Sequence, residues 1–245
     1  MARAGIPLLA VLIDADNTSP QWAEAIFEEI ASLGEASVRR IYGDFSRPGL
    51  KGWSDRLATL GLVPHHSPMN TVGKNASDIA LVIDAMDLLH SGRFDGFVLV
   101  SSDSDFTRLA SRIREQGLDV YGIGQQKTPE AFRRTCKRFI FVENLLAPTA
   151  GGDDAAEAGG SKGEAVAKKE PPSKAIPLVL AAMKAIGTDE DWYSLGQIGQ
   201  FITQAHPEFD ARTYGSAKLS DLLRKTGRFE VRQGPGNHLQ VRDRA

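Results

Sequence analysis

Short apolar runs alternate with amphipathic stretches along the first 146 residues, a pattern typical of an α/β domain. Six runs are predicted to be strands: PLLAVLIDAD, SVRRIYGDF, LVPHH, FDGFVLVSS, LDVYGIG and RFIFVENL. The pairs Ser19–Pro20 and Thr128–Pro129 are typical of helix starts, and Gly34 is typical of a helix end. Because nearly continuous apolar strands alternate with helices, we predict a mostly parallel sheet with helices on both faces.

Two of the predicted helices have apolar residues at helical spacing, which indicates the face that each turns towards the sheet. In SDIALVIDAMDLLHSG the predicted inward residues are Ile79, Val82, Ile83, Met86 and Leu89. In DFTRLASRIREQG they are Phe106, Leu109, Ala110 and Ile113. Both helices should therefore bury one side against the strands.

The composition of the chain changes after the predicted sheet. Residues 147–173 contain no aromatic side chain, and Val166 is their one branched aliphatic residue. Such a segment buries too little apolar surface to offset the entropy lost on ordering, so we predict a flexible linker. The expected organisation is a domain at 1–146, the linker at 147–173 and a second domain at 174–245.

Charge and cysteine content exclude several classes of protein. The net charge is −2, so no basic field covers the whole chain, although residues 174–245 hold 10 Lys and Arg against 8 Asp and Glu. The single cysteine, Cys136, excludes an intrachain disulfide and a cysteine-based zinc site, and it fits a reducing compartment. The sequence has neither a span of about 20 apolar residues nor a signal-peptide cleavage site. We therefore expect a cytoplasmic protein with no membrane partner.

Aspartates follow two of the predicted strands and begin one helix. Asp14 and Asp16 follow the first strand, Asp103 and Asp105 follow the fourth, and Asp78 begins a helix. In a doubly wound sheet these positions meet at the carboxyl edge, where ligands bind. Carboxylates within about 4–6 Å repel one another unless a cation lies between them. An oxygen-only ligand set suits Mg²⁺ or Mn²⁺, so the pattern predicts a divalent metal site.

A simpler interpretation exists for some of these residues. An aspartate at a helix start is commonly a cap, which would account for Asp78 or Asp105 taken singly. It does not account for Asp14, which directly follows an apolar strand. His65 and His66 lack the spacing of metal ligands, and structural or surface roles are the simpler interpretation for both.

Neighbouring polar residues have two interpretations each. Asn17, Ser101 and Ser102 could orient ligands or water, or they could only close the turns in which they lie. Lys74, four residues before Asp78, could bind a phosphate or be a solvated loop lysine.

The motifs VLIDADN, GKNASDIALVIDAM and VLVSSDSDFTRLASRIREQGLDVYGIG resemble those of the NYN domain, a PIN-like nuclease family. The resemblance covers about residues 8–145. It implies a PIN-like parallel sheet whose carboxylates hold Mg²⁺ or Mn²⁺ for RNA cleavage. The residues that fall on the family's acidic positions are Asp14, Asp78, Asp103 and Asp105, with Asp16 and Asn17 at the polar positions after the first. Ser102 and Ser104 stand where the family usually has glycine, which alters the turn and keeps every carboxylate.

Residues 174–242 resemble the LOTUS or OST-HTH domain, a small winged helix. Three predicted helices are followed by FEVR and HLQVR around the turn QGPGN, which gives a wing hairpin. The resemblance implies binding of RNA or docking of a protein partner. The basic cluster expected to contact phosphates is Lys225, Arg228, Arg232 and His238. Trp192, Tyr214 or Phe229 could stack on a base, although a core or rim position is the simpler interpretation.

These observations lead to one main hypothesis and two alternatives. We expect a Mg²⁺- or Mn²⁺-dependent ribonuclease, an endonuclease, with RNA as partner and a homodimer as an open alternative to a monomer. The first alternative is a catalytically silent scaffold that binds RNA or protein. The second follows from DADNT, which has the D-x-D-x-T pattern of haloacid-dehalogenase-like phosphatases, with Asp14 as nucleophile and Asp16 as acid and base.

Overall fold

The structure is a computed structural model that divides into two compact units, residues 1–146 and 147–245, and each is considered by itself. The residues that it describes are 5–67, 76–145, 169–187 and 191–244. Within them, no helix is both long and apolar enough to cross a membrane.

The first unit is built on one parallel sheet of six strands, as the sequence predicts. The strands are β1 (Leu8–Asp14), β2 (Glu35–Gly43), β3 (Val63–His66), β4 (Gly96–Val100), β5 (Asp119–Gly124) and β6 (Arg138–Phe141). Their order across the sheet is β3-β2-β1-β4-β5-β6. The helices are α1 (Ala23–Leu33), α2 (Lys51–Ser54), α3 (Leu57–Leu60), α4 (Ala76–His90), α5 (Thr107–Glu115) and α6 (Glu130–Thr135).

The strands bury both faces, and alternate residues of each strand enter different cores. Along β1, Ala10 and Leu12 pack in the core under α4, α5 and α6, whereas Val11 and Ile13 pack in the core under α1 and α2. Asp14 continues the first set by this alternation. Its side chain is therefore directed towards the face of the sheet that α4 and α5 cover.

The inward face predicted for α5 is confirmed, and the face predicted for α4 is partly wrong. All four predicted residues of α5 are buried. On α4, Ile79 is 60% exposed and Ile83 is 56% exposed, whereas the buried residues include Leu81, Ala85 and Leu88. Apolar residues surround much of α4, so its periodicity is compatible with more than one face. In the observed orientation of α4, Asp84 accepts a hydrogen bond from Tyr42 on β2.

The second unit is a three-helix module with a small antiparallel sheet. Its helices are α7 (Ile176–Ile186), α8 (Leu195–Ala205) and α9 (Leu219–Thr226), and its strands are β7 (Tyr193–Ser194), β8 (Phe229–Gln233) and β9 (Leu239–Asp243). The strand order is β7-β9-β8. The predicted hairpin of β8 and β9 turns through Gly236 and Asn237, which have φ of 70° and 65°. The two-residue strand β7 was not predicted, because it is too short to show alternation.

Most of the predicted linker, including 147–168, lies outside the described residues. The described residues at its end contact the second unit, since the backbone N–H of Glu170 donates a 2.9 Å hydrogen bond to the carbonyl of Thr213. The boundaries 147–173 stay a prediction.

Gly122 on β5 gives a test of the packing between the sheet and α6. A methyl group there would press on the Phe139 ring and lie 2.8 Å from the Cys136 sulfur, which is itself buried. We expect Gly122→Ala to lower the free energy of unfolding by about 1–3 kcal/mol in urea denaturation. Gly49→Ala is the matched control, because a methyl group at that position meets nothing within 4 Å. Equal stability of both variants would contradict the packing described.

Candidate active site

The strand order places β1 and β4 side by side at the centre of the sheet. After β1 the chain continues to β2 on one side, and after β4 it continues to β5 on the other. The two connections therefore diverge, and a crevice opens at the carboxyl ends of β1 and β4, where open α/β sheets bind ligands. Asp14 is the last residue of β1, and Ser101 directly follows β4.

Asp14 is held at the floor of this crevice by three hydrogen bonds. Ser101 Oγ donates to Asp14 Oδ2 over 2.7 Å, and Asn17 donates through Nδ2 to Oδ2 over 2.8 Å and through its backbone N–H to Oδ1 over 3.2 Å. The residue is 1% exposed, and burial raises the pKa of its carboxyl group, against which these hydrogen bonds act. Ser101 and Asn17 thus orient a carboxylate as well as closing turns.

The turn after β4 links Asp14 to the paired aspartates. Ser101 Oγ also accepts the backbone N–H of Asp103 over 3.0 Å, and Asp103 Oδ1 accepts the backbone N–H of Asp105 over 2.9 Å. Asp103 therefore caps the short 3₁₀ turn that precedes α5. Ser102 Oγ accepts the backbone N–H of Gln125, which fastens this turn to the segment after β5.

Asp78 and Asp16 complete the set from the start of α4 and the loop after β1. Ser77 Oγ donates to Asp16 Oδ2 over 3.3 Å. The pKa of Asp78 is raised to about 6, first by burial and then by the charges of the other four carboxylates, Asp14, Asp103, Asp105 and Asp16. The charges of the other four predicted aspartates thus all act on Asp78, and we call these five residues the carboxylate cluster.

The cluster fits a hard divalent cation by its chemistry and its charge. All five side chains offer oxygen ligands, and their mutual repulsion would be relieved by a cation between them. In the described part of the chain, no three His, Cys, Asp or Glu side chains converge closely enough to ligate one ion directly. The arrangement is thus an open one. Mg²⁺ commonly retains several water ligands and binds through one or two carboxylates, so an open cluster is compatible with it.

A cleft of about 580 Å³ adjoins the carboxylate cluster. It is lined by the loop after β1, the turn that holds Arg47 and the segment after β5 that holds Gln125 and Lys127. Asp16 belongs to both features, because it lines the cleft and contacts Ser77 beside Asp78. Arg47 lies 3.5 Å from Asp16, and Lys127 is exposed. Neither cation was predicted from the sequence, since single basic residues in separate loops form no pattern.

Two of the other residues considered from the sequence lie away from the carboxylate cluster, and a third, Lys74, lies outside the described residues. His65 contacts Asp84 at 3.1 Å, and His66 accepts the backbone N–H of Phe45, so both histidines have structural partners.

The four predicted RNA-binding residues of the second unit do not form one compact group. Lys225 donates to the carbonyl of Gly215, and Arg228 forms two hydrogen bonds with Asp243. Arg232 lies at the other end of β8, where its guanidinium group is 3.7 Å from the centre of the Trp192 ring. The exposed His238 follows the hairpin turn. Of the three aromatic candidates, Phe229 is buried in the core and Tyr214 packs against Phe209.

The parallel sheet with acidic residues at its central carboxyl edge defines the first unit as a PIN-like α/β domain. The chain belongs to the NYN domain family, because residues 8–144 match the NYN domain. Residues 168–241 match the OST-HTH/LOTUS domain. Both matches confirm the architecture expected from the motifs.

Two solved structures are similar to parts of the chain. A crystal structure of a protein of unknown function from Vibrio parahaemolyticus has a TM-score of 0.47 and 21% identity, and the match covers 57% of this chain and 94% of that one. A solution NMR structure of an uncharacterized protein from Nitrosomonas europaea has a TM-score of 0.27 and 32% identity, over 39% of this chain and 92% of that one. No curated protein gives a significant match.

The pKa of Asp78 gives a pH test of the cluster without cations. Between pH 3.8, the ordinary pKa of an aspartate, and a pH of about 6, the folded chain retains a proton on Asp78. The unfolded chain has already released it. The unfolded state thus binds fewer protons in this window, and stability should fall as pH rises through it. The raised pKa of Asp14 acts in the same direction. We expect the melting temperature in EDTA to decline from pH 4 to pH 6.5 more steeply in the wild type than in Asp78→Asn.

Asp87→Asn is the control for this experiment, because Asp87 is an exposed aspartate of the same helix. It should keep the wild-type decline. Identical profiles for Asp78→Asn and the wild type would show that the pKa of Asp78 is not raised in the folded chain.

Proposed function

We propose that this protein is a divalent-metal-dependent ribonuclease that hydrolyses RNA phosphodiester bonds within a strand. The observation that carries the proposal is the carboxylate cluster, in which burial and then four neighbouring charges raise the pKa of Asp78 to about 6. PIN-like nuclease domains generally use divalent metal ions, and membership of the NYN domain family supports the same use in this chain. The absence of cysteine and histidine from the cluster favours Mg²⁺ or Mn²⁺.

Within this proposal the five aspartates have different roles. Asp14, Asp78, Asp103 and Asp105 would hold the cation, with Asp16 at the side of the cleft. A bound Mg²⁺ or Mn²⁺ would lower the pKa of an attacking water and neutralise charge on the scissile phosphate. Ser101 positions Asp14 and Asp103 relative to each other, because its hydroxyl group bonds to both. Asn17 fixes the second oxygen of Asp14 through its backbone.

The cleft beside the cluster is suited to a phosphate of the RNA backbone. Arg47 and Lys127 lie on its walls, and Asp16, which also lines the cleft, accepts a hydrogen bond from Ser77 of α4. A strand with one phosphate near these cations would present an adjacent phosphate to the carboxylates. The OST-HTH/LOTUS domain favours RNA binding by the second unit, and a tether between the units would raise the local RNA concentration.

Removal of two carboxylates tests the chemistry. We expect Asp14→Asn combined with Asp103→Asn to lose Mg²⁺- or Mn²⁺-dependent cleavage of labelled single-stranded RNA by at least about 100-fold, because the cation loses two of its ligands. RNA binding in EDTA should persist and shows that the variant is folded. Asp87→Asn should cleave like the wild type. A circular RNA substrate distinguishes endonucleolytic cleavage, because it has no end to attack.

Two results would contradict the proposal. Cleavage by the double variant at the wild-type rate would place the chemistry elsewhere. Binding of RNA by the wild type without cleavage in Mg²⁺, Mn²⁺ or any other divalent metal would favour the silent scaffold.

The cleft makes a separate prediction about substrate binding. Lys127→Gln should raise KM for RNA about 3- to 10-fold with little change in kcat, because it removes one phosphate contact distant from the carboxylates. The matched control is Lys51→Gln, which removes an exposed lysine that does not line the cleft. Steady-state kinetics at fixed Mn²⁺ and low salt measure both parameters. A loss confined to kcat would place Lys127 at the reacting phosphate instead.

A further inference from the structure

The outward face of the small sheet carries a tryptophan and two arginines in contact. Val241 of β9 is buried and pairs with Val231 of β8, so these residues face the core. The residues that alternate with them face outward: Glu230, Arg232, Gln240 and Arg242. Trp192, directly before β7, joins them, with the guanidinium groups of Arg232 and Arg242 at 3.7 Å and 4.8 Å from its ring centre.

This face, which we call the Trp192 face, is preorganised by its own contacts. Two nitrogens of Arg232 donate to Gln240 Oε1 over 3.2 Å each. Arg242 donates to Glu230 over 2.7 Å. Both guanidinium planes are thus held beside the indole ring, and less side-chain entropy is lost when a ligand binds.

The Trp192 face is positively charged. Arg232, Arg242 and Arg244 surround the single carboxylate of Glu230, with Arg244 at 4.0 Å and Arg242 at 2.7 Å from it. The side chain of Arg242 is 41% exposed and Arg232 is exposed. A partly exposed aromatic ring flanked by guanidinium groups, on a sheet with excess positive charge, matches the way proteins stack bases and neutralise phosphates of single strands.

The other basic residues predicted for this role are less suited to it. Arg228 forms a bidentate pair, with Nε and Nη2 donating to the two oxygens of Asp243, whereas Arg242 donates to Glu230 through Nη2. Lys225 donates to a backbone carbonyl. Arg228 precedes β8, whereas Arg232 lies near its other end, about 13 Å away at the rise of a strand.

We propose that the Trp192 face binds single-stranded RNA, with a base stacked on the layer formed by Trp192 and its arginines and with phosphates on Arg232 and Arg242. This inference deepens the proposed function, because it names the surface through which the second unit takes the substrate. Purine strands should bind more tightly than pyrimidine strands, since stacking is stronger for purines.

The test uses the full chain with Asp14→Asn and Asp103→Asn in EDTA, so that no strand is cut. Fluorescence anisotropy measures the binding of labelled 12-nucleotide oligoadenylate and oligouridylate. We expect Trp192→Leu to raise the Kd for oligoadenylate about 10-fold and to abolish the preference over oligouridylate. Trp192→Phe keeps an aromatic ring and should recover most of both. Arg232→Gln or Arg242→Gln should reduce the slope of log K against log salt by about 0.7.

Lys225→Gln is the control for the arginine variants, because it removes an exposed positive charge from the same unit but not from this face. It should change the Kd less than Arg232→Gln does. Far-ultraviolet circular dichroism of each variant verifies that the unit is folded. Wild-type affinity in folded Trp192→Leu, or a larger effect of Lys225→Gln than of Arg232→Gln, would overturn the inference, and so would an absence of RNA binding combined with binding of a protein.

The inference and the proposed function can fail separately. If the wild type binds oligoadenylate through Trp192 but never cleaves RNA, the ribonuclease proposal is wrong and the Trp192 face stands. If the wild type cleaves RNA but Trp192→Leu binds it as tightly, only the Trp192 face is wrong.

Discussion

Electrostatic repulsion among carboxylates at one edge of the sheet is the constraint on which the chemistry of the first unit depends. The parallel order of strands fixes Asp14 and Asp103 at adjacent strand ends, and the start of α4 brings Asp78 to the same edge. Since these positions are set by the backbone, the charges cannot separate without disturbing the fold. Ser101 and Asn17 stabilise the most buried carboxylate, whereas burial and the charges of the other four aspartates both act on Asp78. The proposed cation would offset this concentration of charge.

Most of the fold could be predicted because its signals are local and repeated. Each of the six strands is a short apolar run, and the glycine-containing turn between β8 and β9 identifies the hairpin. The aspartates of the candidate site were also predictable, because strand ends of a parallel sheet must meet at one edge. The orientation of α4 was not. Ile79 and Ile83 have the spacing of a buried stripe. They are exposed because the neighbouring face of α4 makes the tertiary contacts instead.

The cleft cations and the grouping of Trp192 with Arg232 and Arg242 show what single residues in a sequence do not reveal, which is how they are brought together. Arg47 and Lys127 are far apart in the chain and meet across a cleft only because β2 and β5 lie on either side of the central strands. Trp192 precedes a strand of two residues, and its arginines come from β8 and β9. Conversely, Arg228 stands in a basic segment of sequence but is engaged by Asp243. The sequence therefore indicates where basic residues are abundant. The ion pairs that form in the fold determine which of those residues are available to a ligand.

The helix that presents Asp78 is also fastened at a second place, two turns further along. There one oxygen of Asp84 receives Tyr42 at 2.8 Å, Arg40 at 2.9 Å and His65 at 3.1 Å, all from β2 and β3. The edge strand β3 thus contacts α4 directly, and the first turn of α4 carries Asp78 of the carboxylate cluster. A substitution at this border would remove contacts that hold the same helix whose first turn presents Asp78.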